Sequence, residues 1–132
     1  MIALDTNIII RFLVRDDENQ ARLVYQHLAK AEKERRRFFI SSLVVLETIW
    51  VLQSAYGLSR AEVLEALDDM RHMAVFAFED EEVLVRLLNE ALESRCDLAD
   101  LLIALVAESA ACESCLTLDK KAARLPFFKL ME

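Results

Sequence analysis

The sequence predicts an α/β fold with a mostly parallel sheet and helices on both faces. Two observations carry this. Short apolar runs of strand length alternate with segments of helical period from one end of the chain to the other, the order that βα units impose on a parallel sheet. A single glycine and a single proline leave little material for loops. At 132 residues the chain is expected to form one domain, residues 1–132, burying roughly two-thirds of its unfolded-state surface.

The elements follow in order. Ile2 to Leu4 form a short apolar run ending at Asp5, and Ile8, Ile9, Phe12 and Leu13 follow at helical spacing. A strand runs into a helix there. Ala21, Val24, Tyr25, Leu28 and Ala31 give a second helix from Glu18 to about Lys33, and Phe38 to Ile40 a second strand. Ser41 or Ser42 is placed to cap a helix reaching about Ala55. After the break at Tyr56-Gly57, Ser59 and Glu62 have the spacing of a capping box for a helix to about Arg71. Ala74 to Phe78 reads as a third strand, and Asp80 and Asp97 as caps of helices to about Glu93 and Ala111. Cys115 to Leu118 reads as a fourth strand, followed by a short helix from Asp119 and a last strand around Phe127 to Met131.

Composition narrows the function classes. The longest strongly apolar runs, such as Leu101 to Ala107, fall far short of a membrane span of about 20 residues, and no basic segment precedes the N-terminal apolar stretch. A soluble, cytoplasmic protein without a membrane partner is expected. Three cysteines in no spaced framework do not suggest a disulfide scaffold. Cys112 and Cys115 form a C-x-x-C with no second pair and no histidine pair, so zinc is not expected, and the cysteines read as small core residues. A net charge of −7 opposes binding to nucleic acid through a generally basic surface but leaves catalysis on nucleic acid open. The basic stretch from Lys30 to Arg37 and the acidic one from Glu79 to Glu82 read as solvated faces. Without glycine-rich loops, phosphate cradles of the Walker and dinucleotide types are excluded.

The chemistry is expected at isolated acids. Asp5 is the only charged residue among the first ten, Glu47 the only one between Phe38 and Ser59, and Asp100 the only one between Leu98 and Ala107. A buried carboxylate is costly unless paired, neutralised or bound to a cation, and no basic residue lies within a helical turn of these three in sequence. A hard divalent cation would stabilise them. Each residue keeps a structural alternative. Asp5 can be an N-cap; Glu47, on a stripe with Leu43, Trp50, Val51 and Ser54, points to the interior or a cleft, or pairs with a distant arginine. Asp97 suits a cap, whereas Asp100 aligns with Ile103, Ala104, Ala107 and Ala111 and is the better ligand. Asp119, at the end of Leu116-Thr117-Leu118, is cap or ligand, and the Thr117 hydroxyl can orient a water or a carboxylate, or be satisfied by backbone.

The blocks LDTNIIIRFLVRDDENQA, ISSLVVLETIWVLQSAYGLSR and CDLADLLIALVAESAACESCLTLDKKAARLPFFKL, in this order, resemble the PIN domain in its VapC-type toxin branch over nearly the whole chain. The resemblance implies an α/β/α sandwich, a ribonuclease using Mg²⁺ or Mn²⁺, a homodimer, and inhibition by a cognate antitoxin protein. Carried over, the four acids match Asp5, Glu47, Asp100 and Asp119, and the auxiliary positions Asn7, Asp97 and Thr117. Where the family often has a glycine before the fourth strand this chain has Ala111, which puts a turn conformation in question but not the acids. The expected activity is hydrolytic endonucleolytic cleavage of RNA by the toxin of a toxin–antitoxin pair, with the four acids holding one or two ions and Arg11, Arg15, Lys120 and Lys121 as candidates for holding the RNA backbone. Two alternatives are a receiver-type phosphoacceptor module, in which Glu47 and Asp100 have no role, and a non-catalytic binding protein on the same fold.

Overall fold

Three short strands, β1 (Ile2–Ala3), β2 (Phe38–Ile40) and β3 (Phe76–Phe78), pair in the order β1-β2-β3, and both pairings are parallel. The computed structural model describes all of Met1–Glu132. It divides into two compact units, Met1–Glu81 and Glu82–Glu132. Parallel neighbours need crossover connections, and helices supply them: α1 (Thr6–Val14) and α2 (Glu18–Lys33) lead from β1 to β2, α3 (Ser42–Ser54) and α4 (Arg60–Arg71) from β2 to β3. Register places Phe38 beside Ile2 and Phe76, and Ile40 beside Phe78.

Each helix of the first unit starts where its sequence provides an acceptor for the exposed N–H groups. Asp17 accepts from Gln20 N–H at the head of α2, and Ser41 from Val44 N–H at the head of α3. At α4 the capping box is complete: Ser59 Oγ accepts from Glu62 N–H at 3.1 Å and Glu62 Oε1 from Ser59 N–H at 3.0 Å. The core is built from one stripe of each helix, Ala21, Val24, Leu28 and Ala31 of α2, Val45, Thr48, Ile49 and Leu52 of α3, and Val63, Leu67 and Met70 of α4. Two acceptors and donors act at long range. Glu79 Oε1 accepts the N–H of Ser42 at 2.9 Å, and the Arg37 guanidinium donates to the carbonyls of Ala74 and Phe76 at 3.1 and 2.9 Å. The expected solvated faces therefore include two residues that fasten the ends of β2 and β3.

In the second unit α5 (Glu81–Glu93) and α6 (Leu98–Ser109) precede a parallel pair, β4 (Cys115–Thr117) and β5 (Phe128–Leu130). Ala104 of α6, Ala122 and Phe128 form a buried cluster against which Cys115, Leu125 and Phe127 pack. Arg86 on α5 bonds both Glu90 and Glu108, each at 3.0 Å, tying α5 to α6. The helix expected from Asp119 is shorter. Asp119 Oδ1 accepts the N–H of Lys121 at 2.8 Å, an Asx turn, and only a 3₁₀ turn at Ala122–Arg124 follows. Pro126 stands two residues beyond that turn, and the residue before a proline is pushed towards extended conformations.

Three helices end without glycine in the left-handed conformation that usually needs it, α1 among them at Arg15, φ 59°. After α6, Ala111 has φ 66°, with its N–H bonded to Glu108 O and that of Cys112 to Ala107 O, the two bonds of a Schellman motif. Arg35, φ 54°, closes α2 in the same way through Glu32 and Ala31. The turn in question at Ala111 is thus left-handed, and alanine occupies it. No helix is long and apolar enough to cross a membrane.

Candidate metal centre

Asp5 stands between β1 and α1, where its Oδ1 accepts the N–H of Ile8 at 3.3 Å. The cap role is therefore real, and it leaves the carboxylate exposed, as is Asn7, the second residue of the same helix. Glu47 is also exposed. The expectation that it faces the interior is corrected: α3 buries Val45, Thr48, Ile49 and Leu52, while Leu43 and Trp50, 78% and 64% exposed, share the outer side with Glu47. Isolation in an apolar stretch of sequence does not become burial here, because α3 is apolar on both faces and solvent takes one of them. Arg11 and Arg15, considered for the RNA backbone, are already engaged. Arg11 bonds Asp16, Gln20 and Tyr56, and Arg15 pairs with Glu18 and lies over the Tyr25 ring at 4.8 Å.

The second unit gathers charge around the start of α6. Asp97 caps the helix through a 3.0 Å bond from Asp100 N–H to its Oδ1. Asp100 is half-buried, Asp97 and Asp119 exposed. Burial raises the Asp100 carboxyl above the ordinary aspartate range, the negative charges of Asp97 and Asp119 raise it further, and Lys121 offsets part of this. Thr117 takes the backbone option of its two: its Oγ1 accepts the N–H of Asp119 at 3.0 Å, which sets the backbone leaving β4. Asp97 and Asp100 line a cavity of about 190 Å³ together with Arg95, Lys121 and Arg124. Of these cations sequence reading singled out only Lys121. Arg95 could have been noticed two residues ahead of the cap, whereas Arg124 arrives only through the turn after Asp119.

Three carboxylates whose charges act on one another, with a lysine as partial counterweight, are the donor chemistry a hard divalent cation takes. Within neither unit do three His, Cys, Asp or Glu side chains stand close enough together to hold a metal ion. The cysteines are free thiols; Cys112 is exposed, against the expectation of a core position, because it follows the left-handed turn at Ala111, whereas Cys115 packs on the Phe128 cluster.

The sequence profile of the PIN domain family matches residues 2–128. None of the curated proteins and none of the solved structures matches the chain. The match takes in the three-stranded sheet, all six helices, β4 with the first residue of β5, and the acids of the candidate site, and with it the chain belongs to the PIN domain family, a nuclease superfamily.

Proposed function

We propose that this chain is a metal-dependent endoribonuclease that hydrolyses RNA, acting as the toxin of a toxin–antitoxin pair in the cytoplasm. The observation that carries the metal-dependent part is the like charge at the start of α6: Asp97 and Asp119 load negative charge onto a half-buried Asp100, and Lys121 offsets only part of it. Asp5 and Glu47 of the first unit and Asp100 and Asp119 of the second are the acids assigned to Mg²⁺ or Mn²⁺, an assignment that rests on their match to the PIN motifs. Asn7, Asp97 and Thr117 position them. Asp97 holds the first turn of α6 through the Asp100 N–H, and Thr117 holds the backbone of Asp119. The chemistry that a bound divalent ion supplies in such a site is a lowered pKa for an attacking water and neutralisation of charge on the leaving oxygen.

Water as the nucleophile implies products with 5′-phosphate and 3′-hydroxyl ends. Residues 1–132 are taken as one PIN domain, a homodimer restrained by a cognate antitoxin. Single-stranded RNA incubated with the purified protein should be cut in Mg²⁺ or Mn²⁺ and stay intact in EDTA, with the ends read by phosphatase and ligation assays. Undiminished cleavage by metal-stripped protein would sink the mechanism, and cyclic phosphate ends would replace water by the ribose hydroxyl as nucleophile.

A further inference from the structure

The cavity beside Asp97 and Asp100 carries positive charge that a metal centre does not need. Of the six Lys and Arg residues in 82–132, three, Arg95, Lys121 and Arg124, line it. Arg86 is committed to Glu90 and Glu108, whereas Arg95, Lys121 and Arg124 enter no ion pair, although two carboxylates share their cavity. Cations held beside carboxylates weaken the affinity of those carboxylates for a metal ion. An anionic ligand on the same wall offsets that cost.

We propose that Arg95, Lys121 and Arg124 form a pocket for an RNA phosphodiester next to the acids of the second unit. The proposal rests on the endoribonuclease reading. Planar guanidinium forks suit the bidentate geometry of a phosphate, and lysine adds a compact point charge. The turn after β4 holds the backbone of two of them. Arg95 lies two residues ahead of the cap Asp97, Lys121 has its N–H bonded to Asp119 Oδ1, and Arg124 ends the 3₁₀ turn. At about 190 Å³ the cavity admits a phosphate with part of its sugar, below the ~300 Å³ at which small-molecule pockets begin. On a chain of net charge −7 a polyanion finds little general attraction, so affinity for RNA must come from local contacts of this kind.

The test uses a fluorescein-labelled single-stranded RNA of about a dozen nucleotides, its anisotropy in EDTA over a series of salt concentrations, and cleavage kinetics in Mg²⁺. Arg95→Gln, Lys121→Gln and Arg124→Gln are compared singly and together, with Arg22→Gln, on α2 and outside this cavity, as control. Each single variant should weaken binding roughly three- to tenfold and flatten the dependence of log K on log salt by about 0.7 to 1. KM should rise with kcat nearly unchanged, and Arg95→Lys should keep the parent salt slope. Thermal melts establish folding; if the triple variant does not fold, the single variants decide. A parent that cleaves RNA, with variants matching it in affinity, slope and KM, overturns this pocket alone. A parent that neither binds nor cleaves RNA overturns the endoribonuclease reading, and the pocket falls with it.

Discussion

Asp97 Oδ1 accepts the backbone N–H of Asp100 at 3.0 Å. The residue that starts α6 thereby fixes the turn presenting a second carboxylate, and after burial its charge is the next largest cause of the raised Asp100 pKa. One acid organises and the other ionises reluctantly.

This relationship separates the two residues by mutation. Asp100 holds its proton more firmly folded than unfolded, so as pH rises the unfolded chain deprotonates this residue first, and its own contribution to folding stability is lost from about pH 4 upwards. Metal-free Asp100→Asn should therefore melt above the parent at pH 7, and the advantage should vanish below about pH 4. It should also abolish cleavage and lose the stabilisation that added Mg²⁺ gives the parent. Asp97→Asn should keep most of the cap and measurable activity, while Asp97→Ala should lose about 1 kcal/mol. Melts of the three variants at both pH values, with and without metal, check the set; an active Asp100→Asn beside a dead Asp97→Asn would reverse the roles.

Ala111 offers a backbone test. Its φ of 66° is in the left-handed region, which costs an alanine about 1–2 kcal/mol. Glycine removes that strain but gives up about 0.4–1 kcal/mol through the freer unfolded chain. Ala111→Gly should stabilise by about 0.5–1 kcal/mol, and Ala111→Val should destabilise, both read from denaturant midpoints.

The hydroxyl of Thr48, 1% exposed on α3, has no hydrogen-bond partner. A buried donor left unmatched costs about 1–3 kcal/mol. Thr48→Val, similar in shape, should raise stability by about 1 kcal/mol in chemical denaturation, and a loss of stability would point to a water bonded to Oγ1.

Ser59→Ala should cost about 1 kcal/mol by removing the cap of α4. The backbone N–H and side chain of Ser59 hold the Glu62 carboxyl below its ordinary range. That contribution is present above the unfolded glutamate pKa and disappears as pH falls through the lower folded value. The parent should therefore lose part of its lead over Ser59→Ala on acidification, measurable as converging melts.

The legibility of these features in the sequence follows from how local their causes are. The capping box at Ser59 and Glu62, the cap Asp97 and the limits of α2 depend on residues within four positions of one another, and each stands where sequence places it. Glu79 on Ser42 and Arg37 on Ala74 and Phe76 act across 37 to 39 positions, and no pattern of spacing announces them. On α3, apolar residues surround the helix, so its period carries no information on which side is buried, and of the interior and the cleft expected for Glu47 the interior is excluded. The acids proposed for the site stand out in the sequence because charge is rare in their stretches. Arg95 and Arg124 were not, since their common cavity exists only once the turn after β4 is folded.

Trp50 is the chain's only tryptophan, and it lies three positions after Glu47 on the exposed side of α3, where residues at that spacing are neighbours. The protein thus carries a built-in optical reporter one helical step from a proposed ligand. A water-exposed indole emits at long wavelength and is open to collisional quenchers such as iodide or acrylamide. Any event that dries this side of α3, whether docking of an inhibitor, pairing of two copies or arrival of substrate, would shift the emission to the blue and shield it. The occupancy of that surface can be followed without a label.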